Sequence, residues 1–311
     1  MFGHPVKYST IIVALLLLFS FTNSCSNQQE TPSENSAQSP HKKFYIGLIP
    51  EQDLFSQKER YGALASYISK KSGLDVELKI LSRYGNIIDN FLSDKLDGAF
   101  FGSFTGALAI KKLGVDPLAR PVWLDGKSTY YGLIIVRKDS AITNALDMKG
   151  KRFAFVDKAT TAGWLLPLSY FKENSIEDYR EWFSETYFAG THEDVIYDVL
   201  NGKVDIGAAK NTVFERLAQK DSKLLDELQI LAKSPEVPAN ALAVKKGLDS
   251  SLKIKLKNIL LQMDQDKWGR KILAEFGAHK FIETTVKDYN PVFSYAEKIE
   301  LDLIKYNYKN D

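Results

Sequence analysis

The sequence predicts an α/β protein built as two lobes of like construction. Three observations point there. Strand-like and helix-like patterns alternate from Phe44 onward. The segment Leu92-Ser93-Asp94-Lys95-Leu96-Asp97-Gly98-Ala99 is echoed by Leu200-Asn201-Gly202-Lys203-Val204-Asp205-Ile206-Gly207, each passing from an amphipathic helix into a short strand. The 311 residues, 44% hydrophobic and 26% charged, are enough for two cores of ordinary size.

The chain opens on a segment that stands apart from this pattern. Lys7 precedes an apolar run, Ile11 to Phe21. That run is shorter than the roughly 20 apolar residues a comfortable membrane span needs. Small and polar residues follow, and residues 1–24 read as a secretory signal peptide. Cys25 comes next and is the only cysteine, so it forms no internal disulfide. Its place after the apolar run matches the lipid-modified first residue of a bacterial lipoprotein. Ser24 is the small residue expected before it, whereas Thr22 and Asn23 depart from the usual pattern. The alternative is a free cysteine beside an ordinary cleavage site. Ser26 to Lys43 is rich in Ser, Gln, Asn and Pro and lacks apolar periodicity. Residues 25–43 are therefore expected to be an anchor and a flexible tether.

Phe44 to Ile49 is a nearly continuous apolar run, as in a buried parallel strand, and Pro50 ends it. A helix follows with Tyr61, Leu64, Ala65 and Ile68 on one face and Gly73 as its C-cap. Val76, Leu78 and Ile80 alternate along a second strand. Ile87, Ile88 and Phe91 mark a helix face, and Leu96 to Phe101 a third strand. Tyr131 to Val136 and Phe153 to Val156 read as strands, Leu165 to Phe171 and Val195 to Leu200 as helices, and Val204 to Ala208 as a strand. Leu228 to Ala232 and Ala241 to Val244 are further strands, and Leu252 to Tyr306 is mainly helical. Two α/β lobes behind a signal peptide and tether match the type II periplasmic-binding fold, in which the chain crosses between lobes twice. The crossings are expected near Tyr131 and Ala241. This gives a first lobe at 44–133, a second at 134–240, and a return to the first with C-terminal helices at 241–311. A small ligand is expected at the strand C-termini, between lobes that close by hinge motion.

The formal net charge of +2 excludes a nucleic-acid binder of the strongly basic kind. No HExxH, CxxC, GxSxG or P-loop pattern occurs, and no cysteine after Cys25 offers a thiol nucleophile. Neither a metal nor a cofactor is expected. Asp157 to Gly163 joins a strand to a helix, and its hydroxyls and free N–H groups suit an anion such as a phosphoryl group. Plain N-capping is the competing role. Phe101 to Gly106 is the matching junction in the first lobe, with Ser103 as a cap that also faces the cleft. His192, in Gly190-Thr191-His192-Glu193, is placed to donate to an anion but lacks the company a zinc site needs. Tyr84 stands before a helix, and Tyr130 and Tyr131 stand at a crossing. Asp97 and Asp205 read as turn caps at strand starts rather than as ligand groups.

These segments resemble, in order and spacing, the phosphate/phosphite/phosphonate-binding proteins of ABC importers. The shared elements are Tyr84, Leu96 to Gly102, Tyr130-Tyr131-Gly132, Asp157 to Gly163, Gly190 to His192, Val204-Asp205, Asn211-Thr212, and Ser234-Pro235 through Asn240. The resemblance implies that two tyrosines, a Ser-Thr pair at a helix N-terminus and a histidine hold a phosphoryl group. Carried over by position these are Tyr84, Tyr130, Thr160, Thr161 and His192, with the Ala162 N–H where the family usually has a second serine. It also implies two carboxylates against the amine in members that bind aminoalkylphosphonates. Those positions fall near Thr212 or Val213 and at Asn240, and none is acidic here. The ligand is therefore expected to carry no amine, since a buried ammonium without a carboxylate is costly. Lys210, beside these positions, either adds positive charge to the cleft or faces solvent.

The expected role is that of an exported, lipid-anchored binding protein, a monomer that captures a phosphorus oxyanion and delivers it to an ABC permease. The alternative in the same class of site is a sensor that docks on a membrane receptor or histidine kinase. A hydrolase on this fold lacks a nucleophile–base set.

Overall fold

Continuous apolar runs make strands that are buried on both faces, and here they organise two sheets. The computed structural model describes residues 42–310 apart from Gln52 and Asp94. The signal peptide, Cys25 and nearly all of the expected tether lie outside the described residues. The strands are β1 (Lys43–Leu48), β2 (Asp75–Ile80), β3 (Gly98–Phe101), β4 (Asp116–Trp123), β5 (Thr129–Tyr130), β6 (Gly132–Arg137) and β7 (Arg152–Phe155). They continue with β8 (Glu185–Phe188), β9 (Ile206–Lys210), β10 (Leu228–Lys233), β11 (Val237–Pro238), β12 (Ala241–Val244) and β13 (Ala278–Glu283). Lys43, expected in the tether, already pairs with Asp75 as the first residue of β1.

One sheet runs β13-β4-β12-β3-β1-β2 and the other β10-β6-β9-β7-β8. The two share a plan. In each, three strands run parallel, and the next is antiparallel and follows directly on a crossing of the chain: β12 beside β3, and β6 beside β9. The crossings are β5 and β11, which pair with each other through Val237 and Tyr130. Gly132 and Leu133, expected in the first lobe, already pair with Lys210 and Ala209 in the second sheet, because β6 begins directly after the crossing. This is the type II periplasmic-binding-protein fold.

The sequence echo has a structural cause. β3 and β9 each start one residue after an aspartate or at its neighbour, later than the apolar pattern implies. Asp97 accepts from the Tyr45 N–H of β1 at 3.0 Å, and Asp205 accepts from the Arg152 N–H of β7 at 2.9 Å. Each carboxylate is also ion-paired, with Lys245 at 2.7 Å and Arg152 at 2.8 Å. Each thus fastens the strand next to its own, a structural role, but one that works across the sheet rather than as the local turn cap expected.

Helices cover both sheets. Leu54–Ser72 begins where the Asp53 side chain accepts from the N–H groups of Phe55 and Ser56. It ends at Gly73, whose φ of 76° is left-handed. Phe44, Ile46 and Leu48 pack beneath it with Tyr61, Leu64 and Ile68, all nearly inaccessible. Among the described residues no helix is long and apolar enough to cross a membrane. The chain after the last helix (Asn290–Lys298) touches both halves of the fold. Tyr308 Oη donates to Asp89 at 2.8 Å, and Asn310 Nδ2 donates to Asp157 at 3.1 Å.

Candidate functional site

The loop after β7 is built by Asp157. Its carboxylate accepts from the Ala159 N–H at 2.8 Å and from Asn310, and Arg83 Nε lies 3.6 Å away. Burial pushes its pKa up, and these bonds and the Arg83 charge pull against that. The Thr160 N–H and hydroxyl both donate to the Asp157 carbonyl, at 2.9 and 2.7 Å. The chain then enters a π-helical turn, Thr161–Leu165, which passes into the helix Leu166–Glu173. Wide turns of this kind recur at functional sites. Gly163 is required within it: a Cβ there would lie 2.4 Å from Val156 Cγ2 and 2.9 Å from Thr160 Oγ1. The opening N–H groups of Thr161, Ala162 and Gly163 have no preceding helical carbonyl to bond, which leaves an anion-binding end.

The two threonines divide their work. Thr160 stands at the N-cap position but makes no side-chain cap bond, turning its hydroxyl hydrogen back onto the Asp157 carbonyl instead. Thr161 Oγ1 instead accepts from the Phe104 N–H across the cleft at 2.8 Å, and its own hydrogen serves Tyr130 Oη in the absence of a ligand. Phe104 sits in the first turn of the helix Ser103–Leu113. Ser103 Oγ lies 3.0 Å from Tyr130 Oη and donates to the Pro238 carbonyl, so it ties both crossings to the first lobe. The Tyr130 phenol is pushed up to about 12 by burial, with bonds to Ser103 and Thr161 acting against it.

Tyr84 and His192 meet edge to face from opposite lobes, with ring centres 6.0 Å apart. Both are buried, at 2% and 3% exposure. Tyr84 Oη and His192 Nδ1 have no hydrogen-bond partner among the described residues. Buried polar atoms are rarely left so, and an unmet pair on rings that meet from two lobes marks a ligand position. Burial lowers the His192 pKa to about 3, with Lys210 adding to this and Glu51 opposing it. The imidazole is thus neutral at pH 7. An open cleft of about 710 Å³ is lined by Pro50, Asp53 and Ser82 on one side and by Thr191, Glu193 and Asp194, which flank His192 in sequence, on the other.

Lys210 neither faces solvent nor adds net charge to the cleft. It is 3% exposed, and its Nζ lies 2.7 Å from Glu51 Oε1 and 3.0 Å from Asn240 Oδ1. Asn240 Nδ2 donates to the same Glu51 oxygen at 3.0 Å. Burial works to raise the Glu51 pKa, but the Lys210 ammonium and the two hydrogen bonds pull it down to about 2. Burial lowers Lys210 while Glu51 raises it. The pair is ionised and mutually neutralised. Glu51 corrects the sequence-based picture of a cleft without a carboxylate. The carboxylate is present, supplied by the loop after β1 rather than by the positions near Thr212 and Asn240, and it is already engaged. Its one sequence signal was its place just past Pro50 at a strand C-terminus. Thr212 is half-buried on the first turn of the helix Asn211–Ala218, whose Asn211 Oδ1 accepts from the Tyr131 N–H at 3.0 Å.

The model of a family described as "ABC transporter, phosphonate, periplasmic substrate-binding protein" matches residues 46–289. A phosphonates-binding periplasmic protein of Escherichia coli is 26% identical over 276 residues, covering 87% of this chain and 81% of the relative. A phosphate-import protein of Mycolicibacterium smegmatis is 26% identical over 269 residues, covering 83% and 82%. A solved structure from Prochlorococcus marinus, in complex with methylphosphonate, superposes with a TM-score of 0.74 at 22% identity, covering 83% of this chain and 98% of that one.

Proposed function

This chain belongs to the family of ABC-transporter periplasmic substrate-binding proteins for phosphonates, and from that premise we propose that it captures a phosphorus oxyanion outside the cytoplasm and hands it to a membrane permease. The ligand is phosphate, phosphite or a phosphonate without an amine. The observation that carries this is the pair of buried, unmet polar atoms, Tyr84 Oη and His192 Nδ1, on rings that meet edge to face from two lobes. Tyr84, Tyr130, Thr161, His192 and the N–H groups of the turn hold the phosphoryl oxygens. Thr160 shapes the loop, and Ser103 positions Tyr130. Binding makes and breaks no bond; it trades water for preplaced donors.

A thermal-shift series tests this reading. Phosphate, phosphite and methylphosphonate are compared with sulfate on the purified protein. A ligand at 100 times its Kd stabilises the folded form by about 2.7 kcal/mol. At least one phosphorus oxyanion is expected to raise the Tm by several degrees with sulfate weaker; no shift with any of them overturns it.

We also assign Cys25 as the attachment point of a lipid that keeps the folded part at the outer face of a membrane. Cys25→Ser is expected to move the protein from the membrane fraction to the soluble fraction of cells. Unchanged fractionation sinks the assignment.

A further inference from the structure

Lys210 is held as a bound alkylammonium would be held. A carboxylate, Glu51, lies 2.7 Å from its Nζ, and an amide oxygen, Asn240 Oδ1, lies 3.0 Å away. The Tyr130 ring completes the set, with its centre 4.3 Å from Nζ. Carboxylate, amide oxygen and aromatic face are together the groups that recognise an organic cation. They come from three places in the chain: the loop after β1, the residue before β12, and the crossing β5. Lys210 enters from the end of β9 in the other sheet. Tyr130 joins this cage to the oxyanion grip, since its ring faces Lys210 while its hydroxyl bonds Ser103.

We propose that Lys210 is the specificity-determining residue of the site: its ammonium fills, from within the chain, the place a ligand's own ammonium would take. The site therefore accepts phosphorus oxyanions whose substituent is hydrogen, hydroxyl or a small alkyl group and rejects aminoalkylphosphonates. This rests on the binding function proposed above and names the selectivity of that same site. A ligand ammonium entering the closed cleft meets a carboxylate that is already neutralised. It must displace Lys210 from Glu51 or lie beside a like charge in a desolvated space, and either is costly.

The test is calorimetric titration of wild type and Lys210→Met with methylphosphonate and with 2-aminoethylphosphonate. Methionine keeps an unbranched stem and removes the ammonium. Wild type is expected to bind methylphosphonate about 100-fold tighter than the aminophosphonate, and Lys210→Met to shift that ratio about 100-fold or more toward the aminophosphonate, whose amine then neutralises Glu51. Where Lys210→Met does not fold, Lys210→Gln, whose amide can still donate to Glu51, removes the ammonium and is expected to shift the ratio in the same direction. An unchanged ratio in either variant overturns the proposal. So does equal weakening of both ligands by Lys210→Met, which would make Lys210 a contact of the oxyanion itself. Tight 2-aminoethylphosphonate binding by wild type overturns it as well, together with the exclusion of an amine from the ligand, while leaving the capture of a phosphorus oxyanion standing. Wild type that binds no phosphate, phosphite or phosphonate overturns the proposed function, and this proposal with it.

Discussion

Glu51→Ala is expected to hold the lobes apart and to weaken ligand capture by about 100- to 1,000-fold. In the closed arrangement the substitution leaves the Lys210 ammonium buried with its carboxylate gone. Breaking a buried pair from one side costs about 3–5 kcal/mol, mostly as the penalty on the charge left behind. Opening the cleft relieves that penalty, because the two partners sit on opposite lobes and Lys210 then meets water. A ligand that needs the closed form must supply the difference, so its apparent affinity falls with the closed population. Small-angle scattering at saturating ligand and calorimetry check this together; a variant that closes and binds like wild type contradicts it. The pH dependence has a defined sign. Glu51 is held near 2, below its ordinary 4.5, and His192 near 3, below its ordinary 6.5. Both groups are depressed, so their contributions are present in full at neutral pH. The His192 share is lost as pH falls from about 6.5 toward 3, and the Glu51 share as it falls from about 4.5 toward 2.

Thr161→Val is expected to cut affinity for the phosphorus oxyanion by about 100-fold while moving the urea midpoint little. The side chains have the same shape, so packing survives. Two bonds go. The buried Phe104 N–H loses its acceptor at 2.8 Å, a loss of about 1–3 kcal/mol felt only when the lobes meet. The ligand loses a hydroxyl donor to a charged oxygen. Thr160→Val serves as the contrast, since its hydroxyl bonds the Asp157 carbonyl within its own loop. It is expected to disturb loop stability more than closure. Equal affinity in Thr161→Val and wild type contradicts the assignment.

How much of this was legible in the sequence follows from how local each feature is. Phe44 to Ile49 and Tyr131 to Val136 read as strands because apolar runs are self-evident, and both form interior strands of their sheets. Boundaries were less legible where a polar residue does sheet work. Asp97 and Asp205 end the loops before β3 and β9, and their bonds to neighbouring strands involve residues about 50 positions away. The helix-opening loop at 157–163 was legible as an anion site from its hydroxyls and glycine. Which hydroxyl turns inward was not, because that depends on the Phe104 N–H arriving from another lobe. Glu51 was the least legible. It stands 159 residues from Lys210, and nothing near either residue announces the other. Single charges in loops carry no periodicity; only the folded sheets bring them together.

The tail that follows the last helix has a consequence for how such a protein diversifies. Tyr308 is fastened to Asp89 and packs over Gly85, beside Tyr84, while Asn310 is fastened to Asp157. These attachments lie on both halves, so they act in parallel with the covalent crossings and weigh on the balance between open and closed. Changes in the tail then retune the strength of capture without touching a ligand contact. Change at Glu51 and Lys210 alters both what is carried and how tightly, whereas change in the tail resets only the concentration at which carriage begins.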